Sequence, residues 1–64
     1  MCLSTVYTLH GEEKQLVCKN IAAVSTREDG SLVFTDIMGI PTVISGKLEK
    51  IDLMDNFIFV RSAQ

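Results

Sequence analysis

No stretch of this chain repeats its apolar residues at helical spacing for about three turns. Short runs of β-branched and aromatic residues are instead cut by turn residues about every eight to twelve positions. That spacing leaves an all-β fold, a small barrel or a sandwich, as the architecture to expect. Strands are predicted over residues 3–9, 14–18, 21–27, 31–35, 42–45, 48–54 and 57–61, about six or seven in all. Turns are predicted at His10-Gly11-Glu12-Glu13, at a Lys19-Asn20 break, and at Asp55-Asn56. Asp29-Gly30 reads as a two-residue type I′ hairpin, with positive φ at both positions. Gly39 and Pro41 mark residues 36–41 as a loop, and Gly46 ends the strand before it.

The chain has 64 residues and reads as one domain, residues 1–64, with no linker, repeat or low-complexity segment. A domain of this size buries only roughly 60% of the surface its unfolded chain exposes. Metals or self-association often make up the difference. Apolar residues are 47% of the chain, ample for one small core. The last predicted strand sharpens the point. Phe57 and Phe59 face one way and Ile58 and Val60 the other, so both faces are apolar. A second copy of the chain would cover the outer face, giving a homodimer. The other cover on offer is the segment around Ile37, Met38 and Ile40.

Charge narrows the function classes. Six Lys and Arg against eight Asp and Glu give a net charge of −2, with no basic block. A nucleic-acid footprint normally needs clustered cations. Tyr7, Phe34, Phe57 and Phe59 could stack bases, but the alternation favours placing the Phe residues in a core, which makes RNA binding the lesser alternative. No apolar stretch is long enough to span a membrane, and no secretory signal is present. A cytoplasmic protein is expected.

The chemistry is concentrated at Met1-Cys2. The α-amine, the Cys2 amide nitrogen and the Cys2 thiolate can close two fused five-membered chelate rings on one ion without any folding. Nitrogen and thiolate donors so arranged suit square-planar Ni(II) or Cu(II). Strand pairing alone is the plainer reason for order at such a terminus. Cys18, between apolar neighbours, reads as a small buried hydrophobe. Two cysteines without CxxC spacing make no disulfide framework. His10 lies at the far end of the first strand, more than ~20 Å from the terminus. The acidic residues fall mostly in turns and read as solvated. No orienting partner completes a Cys–His pair and no Gly-rich phosphate loop exists, so an enzyme is not expected.

The Met-Cys-Leu start, the Asp29-Gly30 hairpin, the Ile51-Asp52-Leu53 and Phe57-Ile58-Phe59-Val60 strands and the chain length together resemble the CooT family. These are small nickel-binding proteins, also labelled predicted RNA-binding proteins. The resemblance implies an SH3-like β-barrel, a homodimer, and Ni(II) bound through the cysteine at position 2. It further implies a nickel carrier serving carbon monoxide dehydrogenase. Cys2 transfers as the thiolate ligand and Met1 as provider of the amine. A metal-free protein-interaction module is the remaining alternative.

Overall fold

A computed structural model describes residues 3–62; Met1 and Cys2, the expected metal ligands, lie outside the described residues. Six strands follow one another: β1 (Ser4–His10), β2 (Glu13–Thr26), β3 (Leu32–Asp36), β4 (Pro41–Ile44), β5 (Gly46–Asp52) and β6 (Phe57–Ser62). They form one sheet in the order β4-β3-β2-β1-β6-β5. All neighbours are antiparallel except β1 and β6, which pair in parallel. The first and last strands thus lie side by side at the middle of the sheet. The sheet's two outermost strands, β4 and β5, are joined by Ser45 alone, and β3 approaches β5. The sheet therefore curls on itself as a half-barrel. The molecule measures 32 × 27 × 15 Å. Among the described residues no helix is long and apolar enough to cross a membrane.

The core lies on the concave side. Val6, Ile21, Leu32, Phe34, Ile58 and Val60 are buried there, with Cys18 and Ile44 packed against them. The parallel pairing sets the parity of β6, because Val6 lies opposite Ile58 and Thr8 opposite Val60. Ile58 and Val60 then point inward, and Phe57 and Phe59 point out. Each fully buried side chain of this kind contributes roughly 1.5–3 kcal/mol.

Five expectations are corrected. The strands predicted at 14–18 and 21–27 are one strand, β2, of 14 residues. Asn20 takes φ 58 within it, and the ladders slip beside it. The break becomes a bend, because the first half of β2 pairs with β1 and the second half with β3. The Asp29-Gly30 turn is not type I′. Only Gly30 has positive φ, at 89°; the Gly30 amide donates to the Arg27 carbonyl and the Arg27 amide to the Ser31 carbonyl. That is a three-residue loop closed by a left-handed glycine. Gly46 does not break a strand but opens β5. A Cβ there would lie 2.5 Å from the Arg61 carbonyl oxygen, so the close approach of β5 to β6 requires glycine. Phe57 and Phe59 are not core residues. Finally, the segment around Ile37, Met38 and Ile40 does not cover β6; it is the exposed β3–β4 turn.

What covers the outer face of β6 is the chain's own lysines. Tyr7 and Phe59 have ring centroids 5.6 Å apart, and Phe57 and Phe59 4.9 Å. Lys14 Nζ lies 4.8 Å from the Tyr7 centroid and Lys50 Nζ 5.7 Å from that of Phe57. The ammonium groups thus lie over the ring faces, in the arrangement of a cation–π contact.

Candidate metal-carrying end of the sheet

Three backbone links define the end of the sheet where β1 begins. Ser4 pairs with Ile21 beside the Asn20 bend. The Thr5 amide donates to the Asn56 carbonyl at 3.0 Å. The Ile37 amide donates to the Asn20 carbonyl, also at 3.0 Å. The start of β1 is thus flanked by the β5–β6 turn on one side. On the other stand the β2 bend and, through it, the β3–β4 turn. Leu3, the first described residue, is half-buried between them.

The two flanking turns are built alike. In the β3–β4 turn, Asp36 Oδ1 accepts from the amides of Met38 and Ile40, each at 2.9 Å. In the β5–β6 turn, Asp52 Oδ1 accepts from the amides of Met54 and Asp55, at 3.0 and 2.9 Å. Each turn ends on a left-handed residue, Gly39 at φ 85 or Asn56 at φ 60. The sequence signal is Asp36-Ile37-Met38 and Asp52-Leu53-Met54, an Asp–aliphatic–Met triplet used twice. Sequence reasoning missed it, because nothing local says that the two triplets meet at one end of a sheet. A side-chain carboxylate bonded to amides two to four residues on is the usual Asx device for fixing a turn.

The remaining chemical groups sit elsewhere. Cys18 is a free, half-buried thiol on β2, opposite Val6. Burial pushes it up from the ordinary thiol value; a hydrogen bond with Thr42 works against this, and the Asp36 carboxylate adds to it. A thiol kept protonated is a poor ligand and a poor nucleophile, which agrees with its expected packing role. His10 is exposed, opposite Glu13 and at the other end of β1. Near that far end, a cleft of about 570 Å³ is lined by Asp29, Ser31, Ser45, Lys47 and Arg61 among others. Its charged groups are largely engaged. Arg61 makes a two-pronged pair with Glu49, both contacts at 2.9 Å, and donates to the Gly11 carbonyl. Asp29 accepts from the Ser31 amide and hydroxyl at 2.9 and 2.6 Å. Among the described residues no three His, Cys, Asp or Glu side chains gather where they could hold a metal ion.

The comparisons with known proteins bear on the whole chain. A crystal structure assigned provisionally as CooT, from Carboxydothermus hydrogenoformans, matches with a TM-score of 0.86 at 22% identity, over 98% of this chain and 100% of the other. At that identity the likeness establishes the fold. No curated protein matches. The sequence model of the family described as CO dehydrogenase accessory protein CooT matches residues 1–61, so the terminal Met-Cys, both Asp–Met turns and all but the last residue of β6 fall within it, and the chain belongs to the CooT family.

Proposed function

We propose that this protein carries Ni(II) for the maturation of carbon monoxide dehydrogenase, binding the ion as cargo at Met1-Cys2. Membership of the family implies an accessory role to that enzyme. The observation that carries the nickel reading is that the family match begins at residue 1 and takes in both donors. The donor set fits the ion: one thiolate, one amine and one amide nitrogen are nitrogen and sulfur donors that suit a square plane. Among the described residues nothing competes for it.

A second copy of the chain, meeting the first across a two-fold axis, brings a second Cys2 thiolate to the same ion, and each chain then adds one or two backbone nitrogens. The protein in this reading is a cytoplasmic homodimer and not an enzyme. Thiolate and free amine are the binding forms, with unperturbed pKa values of about 8.5 and about 8. Loading therefore releases protons and strengthens as pH rises. Copper(II) would bind such a site more tightly than nickel, so selection rests on which metal is supplied.

The test is a Ni(II) titration of apo-protein beside Cys2→Ser, followed by absorption and native mass spectrometry. Thiolate-to-nickel charge-transfer bands saturating at one ion per two chains, and missing in the variant, are the expected result. Wild-type protein that gains neither bands nor mass refutes the carrier. RNA binding is a second reading, favoured by the outward aromatic face beside Lys14 and Lys50. It would survive in Cys2→Ser and fall steeply with salt.

A further inference from the structure

The outer face of β1, β6 and β5 gathers most of the chain's positive charge around its outward rings. Strand register places Lys14, Leu9, Arg61 and Lys47 side by side in one row across β2, β1, β6 and β5. The next row holds Tyr7, Phe59 and Lys50, and Phe57 follows beside Asp52. Four of the six Lys and Arg thus stand on one face of a chain whose net charge is −2. Of its acidic residues only Glu49 and Asp52 stand among them, and this chain already holds both. Glu49 is paired with Arg61, and Asp52 accepts from the amides of Met54 and Asp55. The rings of Tyr7, Phe57 and Phe59 pack on one another and are half-buried, so part of each remains open.

We propose that this face docks an acidic segment of the client enzyme, carbon monoxide dehydrogenase, that the accessory role implies. The proposal deepens that role and rests on it for the identity of the partner; the surface rests on its own geometry. What decides the partner's chemistry is the fate of two ammonium groups. Lys14 Nζ lies 4.8 Å from the Tyr7 centroid and 5.8 Å from that of Phe59, and Lys50 Nζ lies 5.7 Å from that of Phe57. Among the described residues neither lysine pairs with a carboxylate. A partner that covers the rings takes water from both cations. A neutral apolar surface offers nothing in exchange, and a charge buried without a partner is strongly unfavourable. A second copy presenting the same face would set lysine against lysine. Carboxylates on the partner instead pair with the ammonium groups and leave the rings to pack at the centre. Aromatic anchors inside a polar rim are the usual anatomy of a protein interface. Single-stranded RNA is the poorer occupant, because its bases stack on open ring faces and here the ammonium groups lie over them.

The experiment measures binding of the full-length protein to immobilised nickel-free carbon monoxide dehydrogenase by biolayer interferometry, at low and at high salt. Lys14→Glu/Lys50→Glu reverses the face. Lys19→Glu/Arg27→Glu makes the same change of net charge at exposed residues outside it. Circular dichroism checks the fold, and Lys14→Gln/Lys50→Gln is a milder variant that keeps the test open if the reversal does not fold. The dissociation constant is expected to rise ~100-fold or more in the reversed variant and about 10-fold in the glutamine variant, because like charges then meet, or opposite charges no longer meet, across the contact. The control should stay near wild type, and high salt should slow wild-type association. Wild type that does not bind the enzyme, face variants that bind as well as wild type, or a control that fails equally, each overturns the proposal. Single-stranded oligouridine that binds through Lys14 and Lys50 more tightly than the enzyme does overturns it in favour of RNA. A nickel titration keeps this proposal apart from the carrier. The reversed variant is expected to keep the wild-type charge-transfer bands; losing them together with the contact would mean that the substitutions act at the metal end, and overturns it. Wild type that docks through this face but takes up no nickel refutes the carrier and leaves the docking surface standing.

Discussion

Replacing Gly46 with alanine tests the closure of the half-barrel. Gly46 lies opposite Ser62 where the chain crosses from β4 to β5. A Cβ added there lies 2.5 Å from the Arg61 carbonyl oxygen and 3.1 Å from Val60 Cγ1. Ordinary carbon–oxygen approach is about 3.3 Å, so β6 backbone must retreat by roughly 0.8 Å. The atom in the way is main chain near the end of the β5–β6 ladder, which no rotamer change can move. Overpacking of this kind costs about 1–3 kcal/mol. A stretched ladder hydrogen bond adds about 0.5–1.5 kcal/mol. Alanine restricts the unfolded chain and returns about 0.4–1 kcal/mol. The net loss centres near 2 kcal/mol, against a total stability of roughly 3–10 kcal/mol for a chain of this length. For so small a domain that is a fall in melting temperature of roughly 8–16 °C.

The assay is thermal and urea unfolding by circular dichroism, at one fixed protein concentration because self-association raises apparent stability. Gly46→Ala melting within about 3 °C of wild type would refute the reasoning. It would mean that the β4–β5 crossing is loose and that the half-barrel does not depend on close contact between Gly46 and β6.

Two further outcomes follow from the same structure. Phe34→Ala should remove about 3–5 kcal/mol, because Phe34 is the largest fully buried side chain of the core; urea unfolding checks it, and a loss under 1 kcal/mol would mean that the core is not where described. Acid should destabilise the protein through Asp29 and Glu49, whose carboxyls are held below their ordinary values, the first by hydrogen bonds from Ser31 and the second by the Arg61 guanidinium. A depressed carboxylate stabilises above its unfolded pKa of about 4 and loses that contribution as pH falls through the folded value. Melting curves between pH 5 and pH 2 should therefore fall more steeply for wild type than for Asp29→Ala/Glu49→Gln, and parallel slopes would refute the assignment.

Much of this fold could be read from the residues, and the failures have physical causes. Residues 3–9 and 57–61 announce strands by composition, and alternation correctly separates Phe57 and Phe59 from Ile58 and Val60. Alternation cannot say which side is inside. The parallel pairing of β1 with β6 decides it, and that contact joins the two ends of the sequence. Asn20 reads as a break because asparagine favours turns, yet long-range pairing on both sides absorbs it as a bend. Pro41 reads as loop, but proline is tolerated at the first residue of an edge strand, where β4 places it. Gly46 reads as a breaker, and only the approach of β6 explains it. Cys18 was legible as a packing residue from its apolar neighbours. The metal ligands read at Met1 and Cys2 lie outside the described residues. The Asp–Met turns were visible as letters but not as neighbours, since the two triplets start sixteen residues apart and only the curl of the sheet brings them to one end.

A shared ion couples metal binding to self-association. If one ion is shared by two copies, nickel stabilises the dimer by the same factor by which dimerisation tightens nickel. Apparent metal affinity must then rise with protein concentration. A carrier built this way holds its ion most firmly as a pair. Anything that separates the copies would remove one thiolate and lower the affinity at the moment of contact.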